Sequence, residues 1–224
     1  MSGVPRSVWL VRHGQADWNV ARRYMSFTDR PLAAFGERQA QALARFFAAR
    51  KVDLIVHSGL IRTEATAQAI KGARNVPVYC DERWREASHG AWEGLTYCEV
   101  TQRYPEDAAR RFADPVNHPP LHGESLAQLA QRVRQAWDDL GARFPGRRVV
   151  AVTHSGPIQV LLCLLMGTPL AEHWRWRIDL GSVTGLDCYP TTTILRMVNH
   201  ALPLPTPPTP HSPLPTYDAE PGGE

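Results

Sequence analysis

Two short segments place a histidine directly after an apolar run and just ahead of a glycine. One is Leu10-Val11-Arg12-His13-Gly14, the other Val152-Thr153-His154-Ser155-Gly156. An imidazole in such a place can act as a nucleophile, a general base or a donor to an anion. A third apolar run, Leu54-Ile55-Val56, is followed by His57-Ser58 and then by Arg62. Guanidinium groups grip phosphate or carboxylate in a two-pronged fork. Gathered at one edge, Arg12, His13, Arg62 and His154 would make a cationic pocket for an anion with several oxygens, phosphate first among them. Other chemistries fit less well. Ser58 and Ser155 stand beside histidines, yet neither lies in Gly-x-Ser-x-Gly, since Thr153 and Pro157 flank Ser155. His118 and His122 have a metal-ligand spacing, but Pro119 and Pro120 break the helix that would align the two rings. The four cysteines form no Cys-x-x-Cys pair, so no metal is expected and the thiols read as reduced and inert.

The candidate residues meet only if the chain folds them together. Ser7–Val11, Leu54–Val56, Val76–Tyr79 and Arg148–Val152 read as strands. The last is nearly all apolar and so central, and the third lies at an edge because it contains Pro77. Between them, helical spacing of apolar residues covers Gly36–Arg50, Thr63–Ile70, a stretch opened by Glu124-Ser125, and Pro157–Met166 capped by Gly167. Asp17, Asn19, Asp29 and Pro31 mark a polar loop after the first strand, and Val183–Tyr189 and Thr193–Val198 read as closing strands. Alternating strands and helices predict a three-layer α/β/α sandwich with a mostly parallel sheet. Sites in such sheets form beyond the carboxyl ends of the strands, where His13 and His154 meet if their strands are parallel neighbours.

Composition narrows the remaining classes. The chain has 224 residues, 43% apolar and 21% charged, which excludes a disordered polypeptide. No apolar run approaches a membrane span, and Met1–Arg6 has no apolar leader, so a cytoplasmic protein without membrane contact is expected. Net charge is +3, and 23 of the 25 cations are arginine. No Lys/Arg run with interleaved aromatics suggests a nucleic-acid partner. Residues 201–224 hold eight prolines and read as an extended tail after a domain over 1–200. Oligomeric state is not legible.

The motifs resemble one family. Arg12-His13-Gly14-Gln15 with Trp18-Asn19 resembles the Arg-His-Gly signature of the histidine phosphatase superfamily, the phosphoglycerate-mutase-like proteins. The likeness continues through Pro31-Leu32 to Gly36 with Gln39-Ala40, then Ser58 to Ala67. It extends through Trp84-Arg85-Glu86 with Gly90 and Trp92-Glu93-Gly94, to Gly123-Glu124-Ser125 and the His154 segment. The resemblance implies a phosphoglycerate-mutase-like fold and no cofactor. It implies that His13 is the nucleophile that becomes phosphohistidine, while Arg12, Arg62 and a protonated His154 hold the phosphoryl oxygens. Glu86 would be the proton donor to the leaving group and then the base for water. Asn19 would help bind phosphate, and Gln15 and Ser26 would contact the substrate. Glu93 is the competing acid, with a capping or surface role as its plainer reading.

Departures from the pattern are specific. Gln15 stands where Glu is frequent, Ser26 near a usual loop Gly, Thr63 in place of the first Ala, and His89 where an aromatic residue is common. His57 could add charge to the pocket rim. The acid block is similar to the phosphatase branch, and the C-terminal part is similar to α-ribazole and broad-specificity phosphatases. The expected activity is therefore hydrolysis of a small phosphorylated metabolite. The alternatives are mutase-type phosphoryl transfer, or a non-catalytic phosphate-binding protein on the same scaffold.

Overall fold

In the computed structural model, which describes residues 7–204, the expected strands assemble into one six-stranded sheet. Its strands are β1 (Ser7–Arg12), β2 (Leu54–His57), β3 (Val78–Cys80), β4 (Arg148–Thr153), β5 (Val183–Cys188) and β6 (Thr193–His200), in the order β3-β2-β4-β1-β5-β6. The first four are parallel, whereas β5 runs antiparallel to β1 and β6 antiparallel to β5. β3 is the edge strand, and Pro77 falls just ahead of it, where its carbonyl accepts from Ile55 N–H at 3.0 Å. A proline there sacrifices no ladder donor.

Burial on both faces explains the near-continuous apolar strands. In β1, Val8 and Leu10 face a core shared with α6 (Leu126–Arg143) and α7 (Ser155–Met166). Trp9 and Val11 face the opposite core, with Leu43 and Phe47 of α2 (Ala34–Ala48) and Ala67 and Ile70 of α3 (Ile61–Lys71). These are the three expected layers. Gly167 ends α7 in the left-handed conformation, φ +69°.

Three elements differ from the sequence reading. The loop after β1 contains a helical turn, α1 (Asp17–Val20), because the Asn19 side chain accepts from Ala16 N–H at 2.9 Å and satisfies a free helix-start donor. Two helices, α4 (Tyr97–Arg103) and α5 (Pro105–Ala113), occupy a stretch for which no element was expected. Thr96 and Glu99 form a capping box for α4, and Pro105 opens α5. Their small core is Trp92, Val100 and Ala108; α5 is amphipathic but mostly polar, so its few apolar residues alone do not mark it. Of the expected tail, Leu202 packs against the α2–α3 core, and the stretch from 205 on lies outside the described residues. No helix among the described residues is long and apolar enough to cross a membrane.

Candidate active site

Register brings the two histidines together. In the parallel pair β1–β4, Arg12 lies opposite Thr153, so His13 and His154 are each one step beyond the last pair. Their ring centroids are 4.9 Å apart. His57 of β2 pairs with Val152, which carries Ser58 alongside the same edge. Arg62 follows in the first turn of α3. The backbone accommodates this crowding through Gly14 and Gly36: a Cβ on Gly14 would strike the Gly36 backbone in α2, and one on Gly36 would strike the Gln15 backbone.

His13 is buried, and its Nδ1–H donates to Gly14 O at 2.7 Å. A carbonyl can only accept, so the lone pair of the neutral ring resides on Nε2. Burial, reinforced by the charges of Arg62 and Arg12, pushes the imidazole well below its ordinary pKa. His13 is therefore neutral at pH 7, the state that nucleophilic attack would require.

Arg62 is fully buried. It donates to Ser26 O at 2.6 Å and Thr28 O at 3.0 Å, and its Nη2 lies 3.5 Å from His154 Nδ1. Burial lowers its pKa to about 10, which leaves it cationic at neutral pH. Arg12 donates to Ile178 O at 2.7 Å. The buried Nε–H groups of Arg12 and Arg62 have no partner among the described residues. Unpaired buried donors are costly, and an anion's oxygens would satisfy them.

His154 departs from expectation. Burial, together with His13 and the two guanidiniums, holds it well below the ordinary imidazole pKa, so it is neutral rather than a standing cation. Its Nε2 contacts Ser58 Oγ at 2.8 Å. His57 is likewise neutral, because burial lowers its pKa; its Nδ1 accepts from Gly59 N–H at 3.2 Å, and it adds no charge to the rim.

Glu86 lies at the start of α7. Oε1 accepts from Ala87 N–H at 2.9 Å and Gly156 N–H at 3.1 Å, and Oε2 accepts from Ser155 Oγ at 3.0 Å. Ser155 thus serves Glu86. Arg132, which the sequence reading did not single out, holds this segment. It donates to Arg83 O and Arg85 O at 2.7 Å and to Glu86 O at 2.8 Å, while pairing with Glu124 at 2.7 Å. Its position two turns into α6 is uninformative without the fold; Glu124 of the Gly-Glu-Ser block is the one sequence signal that pointed here.

Glu93 is half-buried and follows the helical turn Gly90–Trp92, and its side chain caps no helix N-terminus. Its carboxylate accepts from Ser26 N–H at 2.9 Å, Thr28 N–H at 3.0 Å and Ser26 Oγ–H. It thereby orients the carbonyls that hold Arg62. Ser26 is taken up by this clamp, and its Oγ also accepts from His89 N–H at 3.1 Å. Gln15 uses its backbone, donating N–H to Gln39 Oε1 at 2.8 Å. A cleft of about 310 Å³ is lined by Arg12, Asn19, Tyr24, Glu86, His89 and Tyr97 among others, whereas Gln15 and Ser26 do not line it. His13, Arg62 and His154 are too buried to line the cleft themselves; Arg12 and Glu86 belong to both cleft and cluster. Among the described residues, no group of three or more His, Cys, Asp or Glu side chains is placed to hold a metal ion.

Comparison with known proteins follows this geometry. The family model of the histidine phosphatase superfamily (branch 1) matches residues 8–201. Phosphoserine phosphatase 1 of Hydrogenobacter thermophilus is 35% identical over 77% of this chain and 82% of its own length. Among solved structures, Bacillus stearothermophilus YhfR is 31% identical, with a TM-score of 0.82 over 87% of this chain and 96% of that one. A putative alpha-ribazole-5'-P phosphatase from Escherichia coli is 27% identical, with a TM-score of 0.83 over 90% of this chain and all (100%) of that one.

Proposed function

The chain belongs to the histidine phosphatase superfamily and is a phosphatase; from that premise we propose that it hydrolyses a small phosphorylated metabolite, without a metal, through a phosphohistidine on His13. The observation that carries the reading is the single Nδ1–H bond from His13 to Gly14 O, which leaves a neutral Nε2 lone pair beside the buried Arg62 guanidinium and the half-buried Arg12. In the proposed reaction Nε2 attacks phosphorus and the bond to the ester oxygen breaks. Arg12 and Arg62 stabilise charge on the equatorial oxygens, where most of the rate of phosphoryl transfer arises. Glu86 gives a proton to the departing alkoxide, and then takes one from the water that cleaves the phosphohistidine. Asn19, on the cleft wall, contacts the substrate.

Similarity brings forward two substrates for assay, phosphoserine and α-ribazole 5′-phosphate. The four cysteines are free, which suits the reducing cytoplasm where we place the protein. The decisive experiment combines two measurements. Phosphate release is followed from p-nitrophenyl phosphate, phosphoserine and α-ribazole 5′-phosphate, and positional exchange of 3-phosphoglycerate is followed in parallel. Hydrolysis without exchange is expected, with an acid-labile phosphoenzyme in quenched samples. Exchange faster than hydrolysis would make the chain a mutase, and a folded protein that releases no phosphate would be a binder.

A further inference from the structure

The hydroxyl of Thr63, the residue in place of the pattern's Ala, sits in a chain of bonds that ends on His154. Thr63 Oγ1 lies 2.7 Å from Leu60 O. A carbonyl brings no hydrogen, so that short contact takes the hydroxyl's one proton. Ser58 Oγ lies 3.0 Å from Thr63 Oγ1, and this second contact then takes the proton of Ser58. Ser58 Oγ is also 2.8 Å from His154 Nε2. With its proton directed to Thr63, Ser58 can only accept there, so Nε2 bears the hydrogen. Ser58, Thr63 and His154 are all buried, which keeps bulk water from rewiring the chain. A neutral imidazole has one N–H. Nδ1, 3.5 Å from Arg62 Nη2, is therefore left with its lone pair.

We propose that Ser58 and Thr63 are positioning residues that fix His154 as its Nε2–H tautomer, so that His154 donates to a bound phosphoryl dianion only after taking up a proton at Nδ1. This rests on the phosphate-site reading above. The balance is simple: the dianion enters, one proton comes from solvent to Nδ1, and no bond to phosphorus forms or breaks. The charged and titratable groups acting on the ring are Arg12 from β1 and His13 just beyond it, Arg62 from α3 and Arg132 from α6; Glu86 is bound at the start of α7, by Ser155 Oγ and Gly156 N–H. The cations and burial keep the ring neutral while no anion is present. A dianion reverses the sign of the local field and favours the imidazolium. With an apolar residue at 63, the Ser58 proton would turn to Nε2. Nδ1 would then carry the hydrogen of a neutral ring and donate without proton uptake. The side chain at 63 thus decides whether anion binding is proton-linked.

Long-range 1H–15N correlation spectra of histidine-labelled protein at pH 7.5 test this, with sulfate as the probe because it stays a dianion across the working range. In the wild type, His154 should show the neutral Nε2–H tautomer and convert to imidazolium as sulfate saturates the site. Thr63→Val keeps the shape and should switch the free ring to Nδ1–H, with no protonation on sulfate addition; Thr63→Ser should restore the wild-type pattern. An Nδ1–H tautomer in the free wild type, or a ring that stays neutral at saturating sulfate, overturns the proposal whether or not Thr63→Val folds. An unchanged tautomer in folded Thr63→Val also overturns it. Hydrolysis of p-nitrophenyl phosphate by the same sample reports separately on the phosphatase reading, which fails only if no phosphate is released.

Discussion

Gly156→Ala should separate the acid step from everything else the site does. A Cβ at this position would lie well inside 3.0 Å of Glu86 Oε1, and 3.3 Å from both Glu86 Cδ and Leu129 Cδ2. The backbone N–H that binds the carboxylate is retained, so the perturbation is a displacement rather than a lost donor. Relieving the overlap moves the carboxylate by about an ångström, and a misplacement of that size costs ~10²-fold in rate. The ceiling is the full worth of general acid catalysis, ~10⁴-fold. Stability should fall modestly and the protein should stay folded. Alanine gains about 1 kcal/mol over glycine within a helix. Overpacking costs about 1–3 kcal/mol. The net loss is then at most about 2 kcal/mol, or roughly 4–8 °C in Tm for a chain of this size. Rapid-quench measurement of phosphoenzyme formation is the assay, with an alkyl phosphate and p-nitrophenyl phosphate compared. The alkyl ester needs a proton on its leaving oxygen, whereas nitrophenolate departs largely unaided. The ~10²-fold loss should therefore appear with the alkyl ester and far less with the aryl ester. Equal slowing of both would mean that the added methyl obstructs binding and that Glu86 is not the acid. An unchanged alkyl rate in the folded variant would refute the role of Glu86 outright.

Three further outcomes follow from the same geometry. His13→Ala should lower turnover by at least ~10³-fold with the fold intact, and phosphate found on a serine or aspartate after acid quench would refute the nucleophile. Stability should fall as pH drops below about 6.5: the unfolded chain takes up protons near that value, while folded His13 and His154, held well below it, do not. Each contributes up to ~1.4 kcal/mol per pH unit over that stretch. Thermal melts from pH 7.5 to 5.5 should show the decline, shallower in His13→Gln; a flat wild-type profile would contradict it. Hydrolysis should persist after exhaustive EDTA treatment, because the guanidiniums supply the positive charge; loss restored by a divalent metal would count against the mechanism.

What could be read from the chain depended on how locally each feature is encoded. The strand ends bearing His13 and His154 are legible because apolar runs and the residues after them are contiguous in sequence. Their meeting is not local, yet the parallel alternation of strand and helix implies it, and the register of β1 on β4 fulfils it. The antiparallel turn of β5 has no such signature. Helices α4 and α5 escape a reading guided by apolar residues because they are short and bury few of them, although α5 is amphipathic and the Thr96–Glu99 box and Pro105 mark their starts. Glu86 was reached through motif resemblance, since nothing near it in sequence reveals that Arg132 grips three carbonyls around it. Glu93 and Ser26 show the limit of reading by residue type. A carboxylate can be an acid or a loop clamp, and only the two N–H groups of Ser26 and Thr28 decide which.

The charge state of His154 is the feature furthest from sequence, and it explains why two histidines at equivalent strand ends are not interchangeable. Both rings are buried beside the same two arginines, so type and electrostatics alone would give them one role. The difference lies in which nitrogen is tied. Gly14 O takes the Nδ1–H of His13 and leaves Nε2 bare, whereas Ser58 engages Nε2 of His154 and leaves Nδ1 toward Arg62. A ring with a free lone pair and no excess proton can attack phosphorus. A ring whose free nitrogen adjoins a guanidinium meets a dianion better as a donor, and so becomes the place where a proton enters with the substrate. On this view the reacting geometry is set by a carbonyl and two hydroxyls, groups without charge. They choose the roles of the histidines before any substrate arrives, and the arginines supply the field in which those roles act.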